Sequence, residues 1–288
     1  MPGRESVVAE GCDQGLTLTE LVQRYGADLV GADVYRRYGE RFPLLIKLID
    51  AKRDLSIQVH PGDKYAYKNP GCDSKTEMWY VVRADEGARV LTGFNRPMSP
   101  EEFDRRVGDG TILDVITAKS SKPGDAFFIP AGQIHSIGAG NLLVEIQQTS
   151  DTTYRVWDYN RRDAQGNLRQ LHHQQAREAL DYGVIDSVVD YGPVVTGSVA
   201  TVVSCPQFDV CLIDVDGRDE IFLPPSFVAL VCIAGEATVV VNGMDAVTLR
   251  QGETALVPAI ASVMNIVGKA RMLAATVNEP PILNPSET

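Results

Sequence analysis

The stretch that most constrains this chain is residues 55–61, Leu-Ser-Ile-Gln-Val-His-Pro. Apolar and polar side chains alternate along it, so in a strand Ile57 and Val59 project from one face and Gln58 and His60 from the other. Two groups able to bind a metal therefore share a face. Downstream, Lys75-Thr76-Glu77 sets a carboxylate at the mouth of the apolar run 78–82, and residues 130–135, Pro-Ala-Gly-Gln-Ile-His, close a third strand with a second imidazole. A single His on a strand is more often a hydrogen-bonded core residue than a ligand. Here, however, the chain has only four histidines, and two of them stand in comparable strand contexts with a carboxylate between them in sequence. His60, Glu77 and His135 supply N, O and N donors, with the Gln58 amide oxygen as a possible fourth. That set suits one zinc ion with an open coordination position.

Strand signals dominate the rest of the chain, and helices are confined to connections. Thr17-Leu18-Thr19-Glu20 has capping-box spacing ahead of an apolar stripe at Leu21, Val22 and Tyr25, and Ser99-Pro100-Glu101-Glu102 repeats the device with Pro at the first helical position. Lys122-Pro123-Gly124-Asp125 reads as a turn and residues 126–129 as a short buried strand that delivers Pro130 and then His135. The order turn, apolar strand, Pro, His is the second half of a cupin signature. Residues 251–259 reproduce the spacing from Gly124 to Pro130, and residues 235–243 read as a hairpin with an Asn242-Gly243 turn. Val263 stands at the position matching His135, and no histidine follows His173, so this second copy has lost the imidazoles for a metal site.

The expected fold is mainly β: two cupin-type, jelly-roll β-barrels with short helical connections. Residues 1–164 are assigned to a metal-binding barrel, 165–185 to a linker and 186–288 to a degenerate barrel without a metal site. His172 and His173 are read as solvated linker residues, because adjacent side chains diverge on a helix.

With 288 residues and 44% apolar content, the chain is long enough for one large core or two moderate ones. A formal charge of -11 argues against nucleic acid or an anionic membrane surface as partner. A phosphorylated small molecule remains compatible, because a few basic residues create a local anion pocket in an acidic protein. The five cysteines, Cys12, Cys72, Cys205, Cys211 and Cys232, show no Cys-x-x-Cys spacing and read as reduced thiols. With no apolar span of bilayer length and no signal-type leader, a cytoplasmic location is expected.

Residues 42–47, 55–61, 75–80, 129–135 and 150–156, taken together in order and spacing, resemble the type I mannose-6-phosphate isomerases, in particular their short bacterial form. The resemblance implies an intramolecular oxidoreductase, an aldose-ketose isomerase, that interconverts mannose 6-phosphate and fructose 6-phosphate through an enediol-type intermediate with zinc as cofactor. It also implies roles for further residues. Arg155, in Thr153-Tyr154-Arg155-Val156, matches the arginine that the family treats as catalytic, and Lys75 and Lys47 match family lysines in the substrate cavity. On the residues alone, Arg155 also fits a plain ion pair with Asp151 or Asp158. Lys64 reads as a turn residue with a possible part in phosphate binding, and Glu145 and Asp151 as partners standing behind the site.

Two other functions fit the same residues. Two His and one carboxylate also make the facial triad of an Fe(II) cupin oxygenase, although Gln58 and the lysines argue against it. A noncatalytic sugar-binding cupin is favoured if Arg155 points away from the donors. The family carries a Trp-Gly-Gly element and a Glu-x-Trp strand ahead of the segment matching residues 6–11, so the first barrel is expected to lack N-terminal strands and to expose an edge.

Overall fold

The computed structural model describes residues 5–241 and 244–277. The chain divides into two compact units, one formed by Leu44–Val189 and the other by the described parts of residues 1–43 and 190–288. This division differs from the expected boundaries at both ends. Residues 5–43 group with the second half of the chain, and residues 165–189 fold with the first.

Hydrogen bonds give the reason for the first difference. The opening segment contains three short helices, α1 (Leu18–Tyr25), α2 (Ala27–Val30) and α3 (Ala32–Tyr38). The last carbonyls of a helix lack partners within it. Those of Asp28 and Leu29 in α2 accept from Ile260 and Ala259 at 3.1 and 2.9 Å, and Val30 accepts from Phe227 at 3.4 Å. The Phe42 ring packs 4.5 Å from that of Phe227. At α1 the capping box is complete: Glu20 N–H donates to Thr17 Oγ1 at 3.2 Å, and Thr17 N–H donates to Glu20 Oε2 at 2.7 Å.

The unit Leu44–Val189 carries ten strands: β1 (Leu44–Asp50), β2 (Ile57–Val59), β3 (Glu77–Ala84), β4 (Arg89–Phe94), β5 (Ile116–Ser120), β6 (Ala126–Ile129), β7 (His135–Ile137), β8 (Asn141–Gln148), β9 (Tyr154–Trp157) and β10 (Val188–Val189). Its helices are α4 (Asp63–Lys68), α5 (Pro100–Gly108) and α6 (His173–Ala179). The strands form two five-stranded sheets, ordered β1-β8-β3-β6-β10 and β5-β4-β7-β2-β9. Trp79, Val81, Phe127, Ile129 and Leu143 of the first sheet pack against Val90 and Ile137 of the second, which makes a two-layer sandwich. Ile57 and Val59 point the opposite way, into a second cluster with Phe103 and Val107 of α5 and Ala176 of α6. The alternation in residues 55–61 thus separates two buried faces, one apolar and one carrying donors.

Residues 165–189 belong to this unit because they pair with it. β10 pairs with β6, and the backbone of His172 pairs with Arg155 of β9. At α5, Ser99 caps Glu102 N–H as the spacing predicts, whereas the Glu102 side chain turns to Arg96 and does not complete a box.

In the other unit, β11 (Ser198–Ser204), β12 (Asp209–Phe222), β13 (Val228–Val241), β14 (Val247–Arg250), β15 (Thr254–Val257) and β16 (Val263–Thr276) form one antiparallel sheet ordered β11-β12-β16-β13-β14, with β15 also on β13. The segment read as a hairpin is the second half of β13, which pairs with β14 from Glu236 opposite Arg250 to Val239 opposite Val247. The Asn242-Gly243 turn lies outside the described residues. Gly235, at φ +74, follows the register shift between Cys232 and Ala234 in β13, where a Cβ would come 2.1 Å from the Lys269 carbonyl oxygen. Val263 opens β16 much as His135 opens β7. No helix among the described residues is long and apolar enough to cross a membrane.

Candidate active site

Directly paired residues of an antiparallel ladder share a face, and the registers bring the candidate residues onto the inner faces of the sandwich. In one sheet Gln58 lies opposite both His135 and Arg155. In the other, Glu77 lies opposite Gln147, and Trp79 and Lys47 both lie opposite Glu145. The potential ligand atoms of His60, Glu77 and His135 all fall within 4.8 Å of one another, and all three residues are buried. Glu77 Oε2 is 3.4 Å from His60 Nε2, and Oε1 is 3.4 Å from His135 Nε2. Gln58 Nε2 sits 3.3 Å from His135 Nε2.

The imidazoles are held from behind. His60 Nδ1 donates to the Thr152 carbonyl and His135 Nδ1 to the Gln133 carbonyl, each at 2.8 Å. Both Nε2 lone pairs are thereby turned toward Glu77, the arrangement in which a histidine binds a metal through Nε2. Burial pushes His60 down to about 4 and lowers His135 as well, so both rings stay neutral. Burial also works against the charge of Glu77, but the neighbouring Lys75 ammonium outweighs it and holds the carboxyl well below its ordinary value.

Lys75 is itself buried, with Nζ 2.9 Å from Glu77 Oε2 and 3.0 Å from His60 Nε2. The ammonium lies among the same lone pairs that a metal would use, so the donor set attracts a cation. Two neutral nitrogens and one carboxylate oxygen, all oriented, fit a divalent metal of the zinc type.

Behind Glu77 lies a contact that the sequence reading missed. Trp79 Nε1 donates to Glu77 Oε1 at 3.2 Å and to Glu145 Oε2 at 3.3 Å. Glu145 in turn accepts from Lys47 Nζ at 2.6 Å, and Lys47 also donates to Gln147 Oε1 at 2.5 Å. Lys47 therefore belongs to the row that supports Glu77, with its side chain 39% exposed at the rim.

Arg155 donates through Nε to Ser56 Oγ at 3.3 Å and through Nη1 to the Gln170 carbonyl at 2.9 Å. No carboxylate among the described residues lies within ion-pair distance of it. Asp158 is taken by Arg161, with Arg169 at 3.8 Å, and Asp151 is exposed, so the plain ion pair is not formed and Asp151 does not stand behind the site. Lys64 lies in the first turn of α4, not in a free turn. There it lines a surface cavity of about 650 Å³ with Lys68, Glu178 and Asp181. His172 is also placed differently from the linker reading: it is half-buried, precedes α6 and accepts from Arg155 N–H at 3.2 Å.

Two antiparallel sheets enclosing a His/Glu/His cluster define a cupin-type fold with a metal-binding donor set. Family models for the phosphomannose isomerase type I catalytic domain and the mannose-6-phosphate isomerase cupin domain match residues 2–93 and 198–277. Mannose-6-phosphate isomerase ManA of Bacillus subtilis is 34% identical over 88% of this chain and 79% of its own length. Mannose-6-phosphate isomerase of Streptococcus mutans is 34% identical over 96% and 86%. The crystal structure of mannose 6-phosphate isomerase from Bacillus subtilis superposes with TM-score 0.84 at 31% identity, covering 96% of this chain and 87% of that one. A Salmonella typhimurium phosphomannose isomerase variant, 15% identical with TM-score 0.75 over 96% and 89%, shares the fold. This chain belongs to the type I mannose-6-phosphate isomerase family.

Proposed function

We propose that this chain interconverts mannose 6-phosphate and fructose 6-phosphate at the Glu77 cluster, with one zinc held by His60, Glu77 and His135 and with Gln58 as a neighbouring neutral ligand. The observation that carries this reading is the convergence of the three donors on one buried point, in a chain 34% identical to mannose-6-phosphate isomerases. Bound zinc supplies Lewis acidity, worth several kcal/mol against negative charge on a substrate oxygen.

The remaining work falls to the chain. Moving the carbonyl from C1 to C2 removes a proton from C2 and returns one to C1 through an enediol. Lys75 is placed to hold or move a proton beside the donors, since its ammonium already bridges Glu77 and His60. Arg155 cannot serve as a base near neutral pH. With no carboxylate among the described residues at ion-pair distance and with Gln58 opposite it in register, its guanidinium orients and stabilises oxygen anions of the sugar. Lys47 supports Glu145 and holds sugar hydroxyls at the rim. The free thiols at all five cysteines accord with a cytoplasmic enzyme.

Metal analysis of the purified protein, joined to an isomerase assay on mannose 6-phosphate, tests the reading. One zinc per chain and turnover that His135→Ala abolishes together are expected. Stoichiometric zinc retained in a folded His135→Ala protein would remove the metal assignment.

A further inference from the structure

Arg155 is gripped by a short segment that carries no assigned role. His172 N–H donates to the Arg155 carbonyl at 2.8 Å, and Arg155 N–H donates to His172 Nδ1 at 3.2 Å. Gln170, two residues earlier, accepts from Arg155 Nη1 at 2.9 Å. Three hydrogen bonds from residues 170–172 thus fix both the backbone and the guanidinium of one residue. The His172 carbonyl also accepts from Ala176 N–H at 2.8 Å, which ties the segment to the first turn of α6, and Ala176 is buried in the apolar cluster on the outer face of β2 and β9.

The imidazole of His172 uses the opposite tautomer from the two cluster histidines. Those donate from Nδ1, whereas His172 must accept at Nδ1 and carry its proton on Nε2. Burial, the charge of Arg155 and the neighbouring His173 all lower its proton affinity, so the accepting form is the one maintained. Arg155 Nε continues to Ser56 Oγ, and Ser56 Oγ to Gln58 Oε1 at 3.4 Å, so the grip on Arg155 runs into the row beside His135.

We propose that His172, together with the Gln170 carbonyl, is a positioning residue for Arg155: its Nδ1 lone pair holds the β9 backbone so that the guanidinium meets the substrate oxygen at a fixed place. The proposal rests on the role given to Arg155 above. It predicts a dependence on which atom of residue 172 accepts. Asn places its amide oxygen near the Nδ1 position and can take the Arg155 N–H, whereas Gln places its polar end near Nε2, and Leu offers no acceptor.

The test is steady-state kinetics on mannose 6-phosphate with zinc-loaded His172→Asn, His172→Gln and His172→Leu, each checked for zinc content and melting temperature. Leu and Gln are expected to lower kcat about tenfold or more with a smaller change in KM, because a displaced catalytic group loses transition-state contact. Asn is expected to restore most of kcat. A long-range imidazole ¹H–¹⁵N spectrum of the wild-type protein should show His172 as the Nε2–H tautomer, and this measurement stands even if the Leu variant fails to fold. Wild-type kcat in the Leu variant, equal losses in Asn and Gln, or an Nδ1–H tautomer would each overturn the proposal. If Arg155→Ala itself keeps wild-type kcat, the role of Arg155 fails; if Arg155→Ala is inactive while His172→Leu is unaffected, only the positioning role fails.

Discussion

Both oxygens of the Glu77 carboxylate are aimed by neighbours, Oε2 by the Lys75 ammonium and Oε1 by the Trp79 indole. Trp79 has the buried, apolar character of a core residue, yet its N–H bridges Glu77 and Glu145. Trp79→Phe keeps the aromatic bulk and deletes that donor, so affinity for the proposed zinc should fall by about 10- to 100-fold while the fold persists. Competition with a chromogenic chelator measures this directly, and an unchanged affinity would show that Lys75 alone orients the carboxylate. In the role proposed for it, Arg155 acts on developing charge and not on the metal, so Arg155→Ala should lose about a hundredfold or more in kcat while the bound metal stays stoichiometric. Near-wild-type turnover with zinc bound would make Arg155 structural. The cluster His60, Glu77 and His135 was legible because strand alternation fixes each donor's face locally. Trp79 and His172 were not. Their roles depend on partners 66 and 17 positions away, brought close only by β8 and by the return of the chain along β9.

Among the secondary elements, the helix ends show how far a local pattern reaches. Thr17 and Glu20 close a box, with the Glu20 carboxylate accepting from both the N–H and the hydroxyl of Thr17. At Ser99 the matching Glu102 is drawn off by Arg96, which the spacing within the helix does not reveal. That ion pair holds the Glu102 carboxyl down to about 2, against an ordinary value of 4.5. A carboxyl with a lowered folded value adds stability that is fully present above about pH 4.5 and is lost as pH falls toward 2. Glu102→Gln removes that contribution. The stability gap between wild type and variant, read from urea unfolding, should therefore be largest above pH 4.5 and shrink as the solution is acidified. A gap that stays constant or widens on acidification would contradict the assignment. The effect is small, since the pair is solvent-screened. The strand readings fared well for the same local reason, with residues 126–129 forming β6 as expected.

At the scale of the whole molecule, the sequence showed two related halves but not where one stops. The boundary is set by hydrogen bonds from α2 to residues 259 and 260 and by the pairing of β10 with β6, and such distant partners leave no periodic trace in the chain. Each half carries its own core, one around Trp79 and Phe127 and the other around Leu230, Met264 and Met272. Chelation of the metal should for that reason act on one half. Amide exchange in β2, β3 and β7 is expected to speed up on metal removal, whereas β12, β13 and β16 keep their protection. Uniform loosening of both sets would show that the halves open as one.

The strand β16 pairs along its full length with β12 and from Met264 to Ala275 with β13, and it is the last strand of the described chain. During synthesis, the ribosome delivers residues 44–189 as a finished set of partners while the sheet of the other half still lacks its middle. Helix α2 finds its hydrogen-bond partners only once residues 227, 259 and 260 have emerged. Long-range closure of this kind is slow. Helix α2 is thus among the last elements to find its partners, and the cluster of His60, Glu77 and His135 has time to form before the second sheet is complete.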